Sequence, residues 1–235
     1  MPDAPAPLTD TLRQGLESLQ MALGEDAQRR LLGHLALIVR WNRVYNLTAV
    51  RDPDTMLSHH LMDSLAVLPA LRSVLQQRAQ ALCTEAQFEA GAGEPRVLDV
   101  GSGAGLPGVV LAVVEPRWHI TCVDAVAKKA SFIRQVAAEL GLSNLQALHA
   151  RVEDVSRSPG FDVVASRAFA SLADFVSLTR HLVNPGGCWM AMKGKLPEDE
   201  LAALPPDIEV FHVEQLTVPG LDAQRCLIWM RKRSP

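Results

Sequence analysis

Apolar residues recur at helical spacing through the first third of the chain. The leucines that keep this three-to-four-residue period are Leu8, Leu12, Leu16, Leu19 and Leu23. They predict a first helix over residues 8–23, which Gly24 ends. The same period predicts a second helix over 26–45 and a third over 56–75, in which we expect Pro69 to produce a kink or a break. The N-terminal part of the chain is therefore expected to be helical.

From residue 96 onward, short apolar runs alternate with helical patterns. The predicted strands are Arg96–Val100, 118–123, Leu145–His149, Phe161–Ser166, 188–193, 208–215 and 225–231, and the predicted helices are 107–115, Ala127–Leu140 and 172–183. This alternation predicts an α/β fold, with a mostly parallel sheet covered by helices on both faces. The last two strands follow each other without a clear helix, so we expect an antiparallel hairpin at one edge of the sheet.

A change of composition separates these two patterns. Residues 84–95 are rich in Gly, Ala, Glu and Pro, which is typical of a linker. We therefore predict an N-terminal helical extension over 1–83 that packs on the core, a linker over 84–95, and one α/β domain over 96–235.

Composition and charge narrow the class of protein. The chain has 235 residues, of which 48% are hydrophobic, so it can bury a substantial core. Its formal net charge is −3. A dedicated double-stranded DNA-binding protein is usually basic, so any contact with nucleic acid must come from local patches.

The cysteines and the N-terminus indicate the compartment. None of the four cysteines forms a C-x-x-C pair, and three lie in apolar runs, where a reduced thiol packs as a small hydrophobic group. The N-terminus shows no basic stretch followed by an apolar one, so we predict no signal peptide. We expect a reduced, cytoplasmic protein without a membrane span, a disulfide framework or a metal site.

The most informative motif follows the first predicted strand. Residues 97–108 read V-L-D-V-G-S-G-A-G-L-P-G, with glycine at every second position from Gly101 to Gly105 through Gly103. Asp124 ends the next apolar run, about 20 residues on, where a carboxylate can accept hydrogen bonds from ribose hydroxyls. The dinucleotide fingerprint G-x-G-x-x-G requires glycine where Leu106 stands. The pattern instead resembles the S-adenosylmethionine (SAM) loop of Rossmann-like methyltransferases.

Further tracts extend this resemblance to one family. They are W-N-x-x-Y-N-L-T at 41–48, H-H-L-M-D-S-L at 59–65, S-R-A-F-A at 166–170 and M-K-G at 192–194. Together with the glycine loop they resemble the GidB (RsmG) family, from about residue 31 to the C-terminus. The resemblance implies a class I SAM methyltransferase fold with a seven-stranded sheet. It also implies methylation of guanine N7 at position 527, in the 530 loop of 16S rRNA in the small ribosomal subunit.

The resemblance also implies which residues contact the cofactor. These residues are Gly101, Leu106, Val152, Glu153 and Arg167, to which the loop spacing adds Gly103, Gly105 and Asp124. Arg167 follows the fourth strand, where it can hold the SAM carboxylate, an RNA phosphate or only a surface salt bridge. Glu153 is alternatively an acid that favours a helix N-terminus. Asn46 and Thr48 become candidates for lining the pocket opposite the cofactor, and Asn46 and Arg167 are the candidates for positioning the reactants.

Binding to RNA requires basic residues near that pocket. The main candidates are Arg40, Arg43, Lys128, Lys193 and Lys195, and the tail 231–233 is a further one. Each of them is alternatively part of a solvated face. His59 and His60 are adjacent on a helix and point about 100° apart, so they do not readily share one metal ion. We interpret His60, Asp63 and Ser64 as a capping or packing set.

Methylation of guanine N7 needs no proton transfer, so no general acid or base is predicted. We expect the protein to be a monomer. Three alternatives stay open from the sequence. The first is a SAM-dependent methyltransferase acting on a protein or a small molecule, which shares the loop but leaves the tracts at 41–48 and 59–65 unexplained. The second is a nicotinamide-dependent oxidoreductase, which Leu106 argues against. The third is a non-catalytic RNA-binding module, which the intact glycine loop argues against.

Overall fold

The computed structural model describes residues 6–85, 93–156 and 158–233. Its α-helices are α1 (Ala6–Ser18), α2 (Glu25–Tyr45), α3 (Pro53–Met56), α4 (Asp63–Leu65), α5 (Leu68–Glu85), α6 (Gly108–Val114), α7 (Ala127–Leu140), α8 (Leu172–Thr179) and α9 (Glu198–Ala202). Its strands are β1 (Arg96–Val100), β2 (His119–Asp124), β3 (Leu145–His149), β4 (Phe161–Ser166), β5 (Val183–Lys193), β6 (Ile208–Leu216) and β7 (Arg225–Lys232).

The helix α2 confirms the second predicted helix to within one residue. Its apolar stripe is buried at Leu31, Leu35 and Ile38, as the spacing requires. The helix ends where Asn46 adopts a left-handed conformation with φ of 48°. Asparagine tolerates this conformation better than most residues, so the chain turns sharply towards the segment that precedes α3.

The first predicted helix is wrong at its C-terminal end. The helix α1 stops at Ser18, and Gln20 follows with φ of 53°. The N–H of Met21 donates to the carbonyl of Leu16 at 2.9 Å. This hydrogen bond, together with the left-handed Gln20, caps the C-terminus of α1. Leu19 and Leu23 nevertheless pack against the core, so their apolar spacing reflects burial from a turn and not a continued helix.

The third predicted helix, over 56–75, is wrong as a single element. The segment consists of α3, a π-helical turn (Leu57–Met62), α4 and, after a break at residues 66–67, the helix α5. A π-helical turn contains one more residue than an α-helical turn, so it rotates the side chains that follow. The predicted break is confirmed, because Pro69 lies in the first turn of α5, where a missing N–H is tolerated.

The sheet has seven strands in the order β3-β2-β1-β4-β5-β7-β6. Strands β1 to β5 are parallel, while β7 is antiparallel to both β5 and β6. The fold class is therefore confirmed, including the antiparallel hairpin at one edge. Because β1 lies between β2 and β4, the chain reverses its direction of travel across the sheet at β1, and ligands of such sheets bind at the strand carboxyl ends beside that point.

Two predicted boundaries near the fifth strand are wrong. The helix α8 ends at Thr179, and a 3₁₀ turn (Arg180–Leu182) follows. Val183 already pairs with Phe161, so β5 begins five residues earlier than the apolar run 188–193 predicted. The register then shifts between Phe161 and Val163, where Pro185 and two glycines interrupt the apolar run of β5.

Apolar side chains form one core on each face of the sheet. The first core unites the N-terminal helices with α6 and α7, and the second lies between the sheet and α8. The helix α5 includes residues 84 and 85 of the predicted linker, and residues 86–92 lie outside the described part of the chain. The division into an extension, a linker and a domain stays a prediction. Among the described residues, no helix combines the length and apolar character needed to cross a membrane.

Candidate active site

The glycine loop after β1 adopts the backbone that its sequence predicts. Gly101, Gly103 and Gly105 have φ of 70°, 59° and 78°, in the left-handed region that side chains disfavour. A Cβ on Gly105 would lie 2.4 Å from Cγ2 of Val109, and one on Gly101 would lie 2.7 Å from Cβ of Ala168. The loop therefore requires glycine both for its conformation and for its close packing.

A fully buried carboxylate connects this loop to the start of α6. The N–H of Gly108 donates to Oδ2 of Asp99 at 2.9 Å, while Oδ1 of Asp99 has no hydrogen-bond partner within the described part of the chain. Burial raises the pKa of Asp99 to about 6, since a charged carboxylate loses its hydration there. Asp99 therefore supports the loop from beneath and lines neither of the two clefts described below.

Asp124, at the carboxyl end of β2, holds the loop from the side. Its two oxygens accept the N–H groups of Gly103 at 3.0 Å and Val126 at 2.8 Å, and Lys129 lies 3.8 Å away. The sequence predicts only a ribose contact for this residue and misses its role in the loop. Each oxygen accepts one N–H and has capacity for a further hydrogen bond, so the two roles are compatible.

His34 of α2 anchors the loop from the opposite side. Its Nε2 lies 2.8 Å from the carbonyl oxygen of Ala104, so Nε2 carries the proton and donates it. Burial lowers the pKa of this fully buried histidine to about 4, which keeps the ring neutral at physiological pH. Sequence reasoning missed His34, because one histidine in an apolar helical stripe gives no signal of a contact with residue 104.

Two clefts adjoin at the glycine loop. The first, with a volume of about 280 Å³, lies over the carboxyl ends of β1 and β2. It is lined by Val100, Gly101, Val123, Asp124, Ala125, Ala150, Arg151, Val152, Glu153, Ala168, Phe169 and Leu178. Its walls are largely apolar, and its two carboxylates are Asp124 and Glu153. The predicted positions of Gly101, Asp124, Val152 and Glu153 thus converge on one cleft. Glu153 also pairs with Arg151 at 2.9 Å.

The second cleft, of about 170 Å³, lies on the other side of the loop. It is lined by Leu47, Thr48, His60, Gly101, Ser102, Gly103, Ala104, Leu106, Arg167 and Ala168. Gly101 and Ala168 border both clefts, so a ligand longer than one cleft can extend past them into the other. Leu106 and Arg167 belong to this second cleft and not to the first.

A buried ion-pair network borders the second cleft. Arg167 donates to Oδ2 of Asp63 at 2.9 Å, and Arg225 donates to Oδ1 of the same carboxylate at 2.9 Å. The predicted packing set is confirmed in that His60, Asp63 and Ser64 are all buried, but it misses that Asp63 pairs with two arginines from distant parts of the chain. His60 lines the same cleft, and its Nε2 lies 3.0 Å from Oγ1 of Thr48. Burial lowers the pKa of His60.

Comparison with known proteins decides the family. The model of the GidB family, described as rRNA small subunit methyltransferase G, matches residues 27–228. The chain belongs to this family. It is similar to three proteins named ribosomal RNA small subunit methyltransferase G. The one from Methylibium petroleiphilum is 58% identical over 226 residues, covering 96% of this chain and 95% of that protein.

The other two relatives are similar over almost their whole length. The protein from Leptothrix cholodnii is 57% identical and covers 97% of both chains. The protein from Acidovorax sp. is 56% identical over 94% of this chain and 93% of that protein. The GidB family resemblance drawn from the sequence tracts is therefore confirmed, and it extends over nearly the whole chain.

The structure places the residues of the GidB tract at 41–48 differently relative to the clefts. Asn46 lines neither cleft, and its Oδ1 accepts a hydrogen bond from Arg51 at 3.0 Å. Its left-handed backbone caps α2 and leaves the side chain exposed, so the two clefts give no support to Asn46 as a pocket residue, and that role stays a prediction. Thr48 and Leu47 of the same tract line the second cleft instead.

The structure divides the basic residues predicted to meet RNA into paired and unpaired ones. Arg40 pairs with Glu139 at 2.6 Å, and Lys193 pairs with Glu200 at 2.8 Å, so neither charge is free. In the part of the chain that the structure describes, three of the exposed candidates form no ion pair, namely Arg43, Lys128 and Lys195.

The basic tail was a further candidate, and the strand pairing places it away from the clefts. The start of β7 pairs with the carboxyl end of β5, as Cys226 faces Lys193. Because β7 is antiparallel to β5, Arg231 and Lys232 lie beside the start of β5, at the end of the sheet opposite the clefts. The predicted contact of the tail with RNA stays a prediction, and for these two residues it would lie away from the clefts.

Proposed function

We propose that this chain transfers the methyl group of SAM to N7 of a guanine in small-subunit rRNA, at position 527 of the 530 loop of 16S rRNA. The observation that carries this proposal is a glycine loop between two adjoining clefts in a chain of the GidB family. One cleft suits the nucleoside of SAM, and the other, which adjoins it at Gly101 and Ala168, suits the amino-acid portion.

The lining of the first cleft fits the adenosine portion of SAM. Val152, Phe169 and Leu178 provide apolar contacts for the adenine ring. Asp124 and Glu153 provide carboxylate oxygens that can accept hydrogen bonds from the ribose hydroxyls. Gly101 has no side chain, which leaves room for SAM to extend from one cleft into the other.

The second cleft fits the amino-acid portion of SAM. Arg167 is the one lining residue of this cleft with a full positive charge independent of pH. Its guanidinium matches a carboxylate in charge and in planar geometry. Leu106, Leu47 and the backbone of the loop complete the wall.

The chemistry requires positioning and no proton transfer. When bound, SAM supplies a methyl carbon that is already activated by the adjacent positive sulfur. Guanine N7 carries a free lone pair at neutral pH, so no side chain has to remove a proton from it. The chain contributes by aligning the two reactants in line and by excluding water from the clefts.

The proposed partner is 16S rRNA within the small subunit or its assembly intermediates. Arg43, Lys128 and Lys195 are exposed, and their charges are free to contact phosphates. Since ribosomes assemble in the cytoplasm, the proposed location of the chain is also cytoplasmic. The proposed oligomeric state is a monomer, which light scattering on the purified protein tests.

The class of substrate is tested with radiolabelled SAM. The protein is incubated with small subunits, with naked 16S rRNA and with ribosomal proteins freed of RNA, and the label in each fraction is counted. We expect label in RNA in at least one of the two RNA samples and none in the proteins. Label confined to protein or to small molecules would contradict the proposal.

A further inference from the structure

Asp63 is a buried carboxylate that joins three separate parts of the chain. It lies in α4 with only 2% of its side chain exposed. Its Oδ2 accepts from Arg167, which follows β4, and its Oδ1 accepts from Arg225, the first residue of β7. A charged carboxylate this deeply buried is costly unless other groups compensate for its lost hydration, and here both oxygens of Asp63 accept from arginines.

Arg167 uses only one of its nitrogens in this network. Its NH1 donates to Asp63 at 2.9 Å and lies 3.4 Å from the carbonyl oxygen of His59. Among the described residues, its Nε and NH2 groups have no hydrogen-bond partner, and the side chain lines the second cleft. With 29% of its side chain exposed, Arg167 has free N–H groups within reach of a ligand.

The two arginines and one carboxylate leave a net charge of one positive unit beside the cleft. Without the carboxylate, Arg167 and Arg225 would repel each other, and the half-buried Arg167 side chain would turn towards solvent. The carboxylate therefore determines where the guanidinium of Arg167 points.

We propose that Asp63 is a positioning residue, which holds Arg167 so that its free N–H groups meet the carboxylate at the amino-acid end of SAM. The inference rests on the proposed cofactor and adds to it the residue that orients this contact. The adenosine end lies in the first cleft, past Gly101 and Ala168, so its binding does not depend on Asp63.

Two ligands distinguish this role from a merely structural one. S-adenosylhomocysteine carries the amino-acid carboxylate, while 5′-methylthioadenosine has the same nucleoside and sulfur but lacks it. Calorimetric titration of D63N should show at least about a tenfold loss of affinity for S-adenosylhomocysteine, as expected for a lost charge-assisted pair. The affinity of D63N for 5′-methylthioadenosine should stay within about twofold of the wild-type value, because D63N and the wild type share the same first cleft.

Asp162 provides the matched control. It is another poorly exposed carboxylate that pairs with an arginine, Arg78, at 3.0 Å. It also accepts the N–H of Arg96, the first residue of β1, so it lies at the edge of the sheet opposite the clefts. D162N removes a comparable pair, and we expect it to leave both affinities unchanged. D63E, which restores a carboxylate, should recover part of the S-adenosylhomocysteine affinity.

A second protein keeps the test decisive if D63N does not fold. The double variant D63N/R225Q has the same net charge at this site as the wild type, but it lacks the carboxylate that holds Arg167. It should show the same selective loss. Equal losses for both ligands, or no loss for either, would overturn the role of Asp63. A wild-type protein that binds neither ligand would instead overturn the proposed cofactor.

Discussion

Gly101 combines a left-handed backbone with a close neighbour, and a matched pair of mutations separates these two features. Alanine at φ of 70° costs about 1–2 kcal/mol in backbone strain. In G101A the new Cβ would also lie 2.7 Å from Cβ of Ala168, which borders both clefts. We expect the affinity for S-adenosylhomocysteine to fall at least about tenfold, measured by calorimetry.

The control for this prediction is G141A at the end of α7. Gly141 has φ of 63°, and no atom lies within 4 Å of the position that a Cβ would take. Alanine there would carry similar backbone strain away from the clefts. Thermal unfolding should show destabilisation of both variants, larger for G101A because of its close contact with Ala168, while G141A binds the ligand like wild type. Equal binding losses in the two variants would contradict the assignment of Gly101 to the cofactor site.

His34 makes the anchor of the loop sensitive to acid. Its folded pKa of about 4 lies below the usual 6.5, so between these values the unfolded chain binds more protons and stability falls as pH falls. At pH 5 this effect is about 2 kcal/mol. H34Q, whose amide can still donate to Ala104, should therefore gain about 2 kcal/mol relative to wild type between pH 7.5 and pH 5, measured by urea unfolding.

The difference between variant and wild type isolates His34 from Asp99, whose effect has the opposite sign. The pKa of Asp99 is raised to about 6, so its contribution to stability falls as pH rises through the window from 3.8 to 6. The contribution of Asp99 is the same in H34Q and in the wild type, so it cancels in their difference. H119Q serves as the control for a histidine with over half of its side chain exposed. A pH-independent difference for H34Q would contradict a buried neutral His34.

At the residue scale, the sequence predicts what depends on local backbone and misses what depends on distant contacts. The alternating glycines predict a left-handed loop, because glycine adopts that conformation most easily. His34 and Asp63 were missed as supports of the site, since their partners Ala104, Arg167 and Arg225 are far away in the sequence. No local pattern encodes which distant arginine meets a buried carboxylate.

At the element scale, long regular patterns are predicted well and irregular ones are not. The observed boundaries of α2, α7 and the first four strands lie within about one residue of those predicted from the apolar pattern. The segment from α3 to α5 was predicted as one helix, because a π-helical turn preserves the general helical pattern while shifting its phase. After this π-helical turn, α4 presents Asp63 to Arg167 and Arg225.

The early start of β5 shows the same limit. Pro185 and two glycines predict the end of a regular element, yet β5 continues through them by shifting its register against β4. Tertiary pairing with a neighbouring strand thus overrides the local preference of these residues.

At the scale of the whole molecule, exposed lysines lie at both ends of the strands, and only one of these ends carries the clefts. Lys195 is exposed just after the carboxyl end of β5, on the side of the clefts, while Lys232 is exposed at the opposite end. K195E should weaken binding to small subunits severalfold and reduce the slope of log affinity against log salt by about one. Filter binding at several salt concentrations measures both quantities.

K232E is the matched charge reversal for this prediction, and it should leave rRNA binding unchanged. Both variants should bind S-adenosylhomocysteine like wild type, because neither lysine lines a cleft. Equal losses for K195E and K232E would mean that net charge, and not the cleft-bearing end, governs binding. The division of basic residues into paired and free ones could not be predicted, since it depends on partners such as Glu139 and Glu200.

The central claim is that this fold delivers a methyl group to one ring nitrogen of one guanine. The most direct test is mass-spectrometric mapping of 16S rRNA after incubation of small subunits that lack the modification with the protein and SAM. The account predicts a single N7-methylguanosine, located at position 527 in the 530 loop. A methyl group on another base, on another atom of guanine or in a different part of the rRNA would contradict it.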